Sequence, residues 1–149
     1  MDPVAAYVLT LLAYEEARGG VGATRYRVMR LLNQYPNYVY RTINRLEKEG
    51  YVECLGGGRG RRCRATLLAL FKLYTSGSTV AERLIAERLG VESIDDLKAV
   101  LREVAKTNYA PRNAIDLTGW LVVNAEMPEA RRLLIEIAPG LRHHICGDS

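Results

Sequence analysis

The side chains best suited to chemistry in this chain are hydrogen-bonding groups at helical spacing between positions 37 and 49. Arginine can donate two parallel hydrogen bonds to the edge of guanine, and asparagine can pair in the same bidentate way with adenine. Tyrosine hydroxyls and lysine suit phosphate oxygens. The segment contains all of these types, at Asn37, Tyr38, Tyr40, Arg41, Thr42, Asn44, Arg45 and Lys48. This composition predicts contacts with base edges and phosphates.

A second group of such residues forms the loop 56–62, with the sequence GGGRGRR. Glycine lets a backbone approach a phosphate row closely, and the guanidinium groups supply positive charge. The loop has neither of the glycine patterns, G-x-x-x-x-G-K-[ST] or G-x-G-x-x-G, that cradle nucleotide phosphates. We therefore expect a basic hairpin tip that meets a polyanion through Arg59, Arg61, Arg62 and the adjacent Arg64.

Cys54 and Cys63 flank this loop and face each other if the loop joins two antiparallel strands. A disulfide between them is possible where the compartment or organism tolerates one, as intracellular proteins of hyperthermophiles do. The alternative, which we prefer from sequence, is that both are small apolar strand residues.

Catalytic and metal-binding patterns are weak. The two histidines, His143 and His144, lie with Cys146 near the end of the sequence, where frayed residues are commoner than ligands. No nucleophile can be grouped with a histidine elsewhere in the chain. We predict that the protein is not an enzyme and has no metal and no cofactor.

The elements that must position these residues follow from apolar spacing and chain breaks. Asp2 and Pro3 start a first helix, and Thr24 caps a second over 25–33. Pro36 ends that second helix, and a third over about 37–49 turns Val39, Ile43 and Leu46 inward before Gly50 ends it. Strand-forming residues at 51–55 and 63–66 predict a hairpin around the basic loop.

The remainder of the chain has helical periodicity over about 67–74, 79–90, 93–106, 112–124 and 129–137, with Pro139 and Gly140 ending the last helix. The predicted fold class is therefore mostly α (α+β). We expect a winged helix-turn-helix with a two-stranded wing over residues 1–75, followed by an all-helical domain over 79–149.

Charge and hydropathy agree with this division. Residues 1–66 carry eleven basic and six acidic side chains, whereas 67–149 carry ten and eleven. A basic front half suggests that only this half meets a polyanion. The longest early apolar run, residues 4–13, is too short for a membrane span, so we expect a soluble, cytoplasmic protein with no membrane partner.

The stretch from Tyr40 to Glu53, YRTINRLEKEGYVE, resembles the recognition helix and first wing strand of PadR-like regulators, and more loosely those of the MarR group. Residues 60–66 are similar to the second wing strand, and the resemblance extends over residues 4–74. It implies a homodimer that binds double-stranded DNA at a pseudo-palindromic site and dimerises through helices outside the winged unit.

Together, these features predict a sequence-specific, DNA-binding transcriptional regulator, with helix 37–49 in the major groove and loop 56–62 on the flanking backbone or minor groove. The C-terminal domain would dimerise the protein, or bind a small-molecule effector or a protein partner. Two alternatives are a winged-helix protein-interaction module of transcription or replication machinery and a non-specific architectural DNA-binding protein.

Overall fold

The described residues in the computed structural model are 2–20, 22–33 and 36–145, with only the backbone described at 36, 59 and 140–145. They form eight α-helices and one three-stranded antiparallel sheet, a mostly helical α+β structure, as predicted. The chain divides into two compact units, Met1–Leu84 and Ile85–Ser149. No helix of the described residues has the length and apolarity needed to cross a membrane.

The first unit contains the predicted helices and hairpin. In chain order its elements are α1 (Pro3–Ala17), β1 (Ala23–Thr24), α2 (Arg25–Leu32), α3 (Pro36–Lys48), β2 (Val52–Leu55), β3 (Arg62–Ala65), α4 (Leu67–Thr75) and the start of α5 (Thr79–Leu89). A short 3-10 turn, Gly58–Gly60, lies at the hairpin tip. The basic loop therefore joins two paired strands.

The sheet has three strands, in the order β1-β3-β2, instead of the two expected. Ala23 and Thr24 of β1 pair with Cys63 and Arg62, so β3 is the central strand. A two-residue strand is too short to show an alternating pattern, which is why the sequence does not indicate it. On the other side of β3, Cys54 of β2 lies directly opposite Cys63.

Cys54 and Cys63 are joined by a disulfide in this structure. From the sequence we prefer two unlinked apolar cysteines, and the structure instead has the alternative, a cross-strand disulfide. Cys63 is nevertheless buried, at 1% exposure, so it also contributes to the core.

Helices α1 and α3 both contribute fully buried side chains to the core of the first unit. Val8, Leu9 and Leu12 of α1 are fully buried, and α3 buries its predicted apolar positions. The other side of α1 leaves Tyr7 and Tyr14 more than half exposed, although a helix apolar nearly all round is expected to be covered on both sides.

The end of α3 is fixed by backbone geometry and by one hydroxyl group. Gly50 has φ +84°, a conformation that glycine adopts without a Cβ penalty, and the chain turns there into β2. The Thr66 hydroxyl donates to the Gly50 carbonyl at 2.6 Å and accepts from the Ala69 N–H at 3.3 Å. Thr66 therefore links the end of α3 to the start of α4.

The second unit is helical, with α6 (Ile94–Ala105), α7 (Ala114–Val123) and α8 (Pro128–Ile145). The prediction that the last helix ends at Pro139 is wrong, because α8 continues through it. Proline removes one intrahelical hydrogen bond and bends a helix but does not always end it. An Asp96–Arg132 ion pair at 2.8 Å links α6 to α8, and Arg132 holds the pKa of the Asp96 carboxyl below its usual value.

The role of Thr66 can be tested by replacing it with a residue of similar shape that has no hydroxyl. We expect Thr66→Val to lower the free energy of unfolding by about 1–2 kcal/mol, since it removes a cap and a second hydrogen bond. Thr66→Ser keeps both bonds and serves as the matched control. Urea unfolding followed by circular dichroism measures the difference; a Val variant as stable as the natural protein would contradict this role.

Candidate nucleic-acid interface

The side chains of α3 lie on two opposite sides of the helix. Val39, Thr42, Ile43 and Leu46 are buried in the first unit. With 3.6 residues per turn, the opposite side of the helix carries positions 37, 41, 44 and 48, which recur at i, i+4, i+7 and i+11. All four are exposed. We call this set the outer stripe, and it consists of Asn37, Arg41, Asn44 and Lys48.

The outer stripe contains hydrogen-bonding groups and two positive charges, with no acidic residue. Arg41 donates from Nε to the Asn37 carbonyl at 3.4 Å, which leaves its terminal nitrogens available. Among the described residues, no carboxylate pairs with Arg41 or Lys48. The stripe can therefore donate and accept hydrogen bonds toward a partner while carrying a net positive charge.

Two of the α3 side chains predicted to contact DNA are engaged within the first unit. Thr42 is buried, at 5% exposure, because it lies next to Ile43 on the core side, so it is removed from the candidate surface. Arg45 pairs with Asp2 at the start of α1 and lies 3.9 Å from Glu49. Its charge is thus already balanced within the unit. Tyr38, at 42% exposure, stays accessible.

Most of the predicted hairpin arginines have local partners. Arg61 pairs with Glu47 of α3 at 2.6 Å, and Arg64 pairs with Glu53 across the two strands. Arg62 is exposed and donates to the Gly22 carbonyl at 3.3 Å, without a carboxylate among the described residues. The side chain of Arg59 lies outside the described residues. Of the described hairpin arginines, Arg62 therefore offers the most available charge.

A cleft of about 950 Å³ lies between the start of α2, α3 and the hairpin tip. Two of the residues that line the cleft are in contact: the Arg25 guanidinium lies over the Tyr40 ring, 5.1 Å from its centroid. None of the described residues lining the cleft is acidic; they are Thr24, Arg25, Tyr26, Tyr40, Gly56, Gly57, Gly58 and Arg61. Cationic and phenolic groups around an open cleft suit an anion that also has a flat or apolar part.

Residues of α2 extend this basic surface, although no sequence motif indicates them. Arg30 lies 5.9 Å from the Tyr26 ring and donates to its hydroxyl at 3.3 Å. The Thr24 hydroxyl accepts from the Arg27 N–H at 3.1 Å and caps the helix. The signal in the sequence is only the clustering of arginines at 25, 27 and 30, of which Arg27 pairs with Glu15 at 3.4 Å.

The remaining candidates do not add a site. Of the weak metal candidates, the side chains of His143 and His144 lie outside the described residues, and so does Cys146. Within the part of the chain that is described, no three His, Cys, Asp or Glu side chains form a group that could hold a metal ion.

The Asp2–Arg45 pair predicts a measurable titration. The pKa of Asp2 lies below its ordinary value because the Ala5 N–H donates to the carboxylate and, more weakly, because Arg45 pairs with it. A lowered folded pKa means that this stabilisation is complete above the unfolded pKa and is lost as pH falls through the folded one.

We expect the carboxyl ¹³C signal of Asp2 to titrate below the range of a free aspartate. In Arg45→Ala its pKa should rise but stay below the ordinary value, since the Ala5 bond remains. An Asp2 titration unchanged by Arg45→Ala would show that the ion pair is absent in solution.

Comparisons of the chain with protein-family models, with curated proteins and with solved structures find no match. The candidate site consists of an exposed polar stripe on α3 and a neighbouring cleft without described acidic residues, a surface suited to a polyanion with hydrogen-bonding edges.

Proposed function

We propose that this protein is a sequence-selective, double-stranded DNA-binding transcriptional regulator. In this proposal α1, α2, α3 and the β2–β3 hairpin act as a winged helix-turn-helix, as the resemblance to PadR-like regulators implies. The observation that carries the proposal is the outer stripe: the side of α3 opposite the core is made of Asn37, Arg41, Asn44 and Lys48.

The dimensions and chemistry of α3 suit the major groove. A helix of 13 residues is about 20 Å long, and the major groove of B-DNA admits an α-helix. Arg41 and Asn44 are the proposed base readers, because their side chains can make bidentate contacts with guanine and adenine. Asn37 and Lys48, one turn farther out on each side, would contact base edges or phosphates.

The surface formed by the start of α2 and the hairpin would supply contacts with the DNA backbone. Arg25 beside the cleft and Arg62 on the hairpin are cations without a carboxylate partner among the described residues. The N-terminal end of α2 adds the partial positive charge of the helix dipole at the same cleft. Such contacts position a protein on the duplex without reading its sequence.

The second unit has the features expected of a dimerisation or effector domain. Val122, Val123 and Ile135 are 56%, 81% and 72% exposed, which leaves much aliphatic surface uncovered on a small helical unit. We propose that this unit forms a homodimer or binds a small molecule or protein partner. We propose that the protein carries out this regulation in the cytoplasm.

Base reading by the outer stripe can be tested with selected and random duplexes. Selection of bound fragments from random DNA should yield a preferred site. Arg41→Ala and Asn44→Ala should then each weaken binding to that site by about ten- to a hundredfold, the value of one bidentate contact, and weaken binding to random DNA much less. Fluorescence anisotropy at fixed salt concentration measures both affinities.

Arg112→Ala, an exposed arginine of the second unit, is the control with the same charge change. Equal losses on selected and random duplexes would contradict base reading by Arg41. Failure to enrich any sequence would favour the architectural alternative, and absence of duplex binding would favour the protein-interaction module.

Contacts with DNA phosphates predict a loss of affinity that does not depend on the DNA sequence but does depend on salt concentration. Arg25→Ala and Arg62→Ala should weaken binding to every duplex alike and reduce the slope of log K against log salt concentration by about 0.9 for each phosphate that the variant no longer neutralises. Arg25→Lys keeps the charge and should preserve most of the slope. An unchanged slope in both alanine variants would show that these arginines do not contact phosphate.

A further inference from the structure

The Cys54–Cys63 disulfide lies close to the tip of the hairpin that borders the cleft. Between the disulfide and the tip, β2 and β3 have one more pair of opposed residues, Leu55 and Arg62. Leu55 is 66% exposed, so little packing holds this end of β2. The disulfide is therefore a covalent cross-link between β2 and β3, placed one ladder pair before the tip.

The two cysteine-bearing strands are not held equally. β3 pairs with β1 on one side and with β2 on the other, whereas β2 is an edge strand that pairs with β3 alone. Cys63 also has a second cross-strand partner in Ala23. Opening the disulfide would thus release the end of β2 and leave β3 in place.

The segment that would be released forms one wall of the cleft. Residues 56–58 follow β2 directly and line the cleft together with Arg25 and Tyr40. Gly56 and Gly58 have φ values of +86° and +61°, and a Cβ added at Gly58 would meet no atom within 4 Å. With the disulfide open, the Arg61–Glu47 ion pair would remain as the restraint beside this glycine segment, and the segment, having few neighbours of its own, would lose part of its order.

The accessibility of the two cysteines also sets the order of thiol exchange. Cys54 is partly exposed and Cys63 is buried. A thiolate such as that of glutathione would attack Sγ of Cys54, form a mixed disulfide there and release the Cys63 thiolate, which takes up a proton. A second glutathione thiolate then attacks the glutathione sulfur of the mixed disulfide and releases the Cys54 thiolate, which is protonated in turn. The net change is two protein thiols formed and one glutathione disulfide.

We infer that Cys54 and Cys63 form a reversible redox site that sets the affinity of the cleft and hairpin for DNA. The oxidised form holds residues 56–58 in the arrangement that borders the cleft, and so binds duplex DNA more tightly. The reduced form must order this segment on binding. This inference rests on the proposed DNA-binding function, and its structural half can be measured without DNA.

The test uses the full-length chain with Cys146→Ala, so that one cysteine pair remains, equilibrated in oxidised or reduced glutathione. Hydrogen exchange followed by mass spectrometry reports on residues 54–61, with α1 as the internal reference. Reduction should speed exchange in the hairpin and leave α1 unchanged. Affinity for duplex DNA should fall roughly tenfold, the cost of ordering one or two residues. Cys54→Ala/Cys63→Ala should match the reduced protein in both glutathione buffers.

Each result bears on a separate part of the inference. Equal hairpin exchange in both forms would refute the anchoring role of the disulfide. Faster exchange with unchanged DNA affinity would show a structural crosslink and overturn the regulatory role. If neither form binds duplex DNA, the proposed function fails, and the regulatory role fails with it, while the exchange data still decide whether the disulfide orders the hairpin.

Discussion

Burial of one stripe of α3 against the core of the first unit sets the direction of every other side chain on that helix. Val39, Ile43 and Leu46 are at most 1% exposed. Burying side chains of this size stabilises the fold by about 1.5–3 kcal/mol each, which is more than the polar residues of α3 gain from any one orientation. Rotation of the helix would expose these groups. The outer stripe is therefore held outward by the packing on the opposite side.

Ion pairs then determine which of the many arginines remain available. The first unit is rich in guanidinium groups, but Arg27, Arg45, Arg61 and Arg64 each have a carboxylate partner. These pairs are exposed or only partly buried at the surface, so solvent screening and side-chain entropy keep their contribution to stability small. Their effect on the surface is larger, since they neutralise charge beside α3 and leave Arg25, Arg41, Lys48 and Arg62 without a carboxylate partner among the described residues.

The position of the hairpin is set by β3, the central strand of the sheet. As the central strand, β3 connects β1, which immediately precedes α2, with β2, which follows α3. The Thr66 hydroxyl fixes the base of the hairpin to the end of α3, and the disulfide fixes the upper part of β2 to β3. Beyond the disulfide, the Leu55–Arg62 strand pair and the Arg61–Glu47 ion pair connect the tip to the rest of the unit.

The amino-acid sequence alone determined the helices and the hairpin of the first unit and the polar character of α3. Apolar spacing at 39, 43 and 46, the break at Pro36 and the turn at Gly50 are local signals, and each defines its element without knowledge of the rest of the chain. The same local signals placed the helix end at Pro139, where the structure continues α8.

Only the tertiary structure decided which polar residues share a surface. Thr42 is polar but buried. Arg45 pairs with Asp2, which lies 43 positions away in the chain. Arg25 and Tyr26 of α2 line one cleft together with Tyr40 and the hairpin. Strand β1 forms only by pairing with Cys63 and Arg62 of β3, and the Cys54–Cys63 bond depends on the register of β2 against β3. Periodicity reports only on neighbours a few positions away, so it cannot decide any of these outcomes.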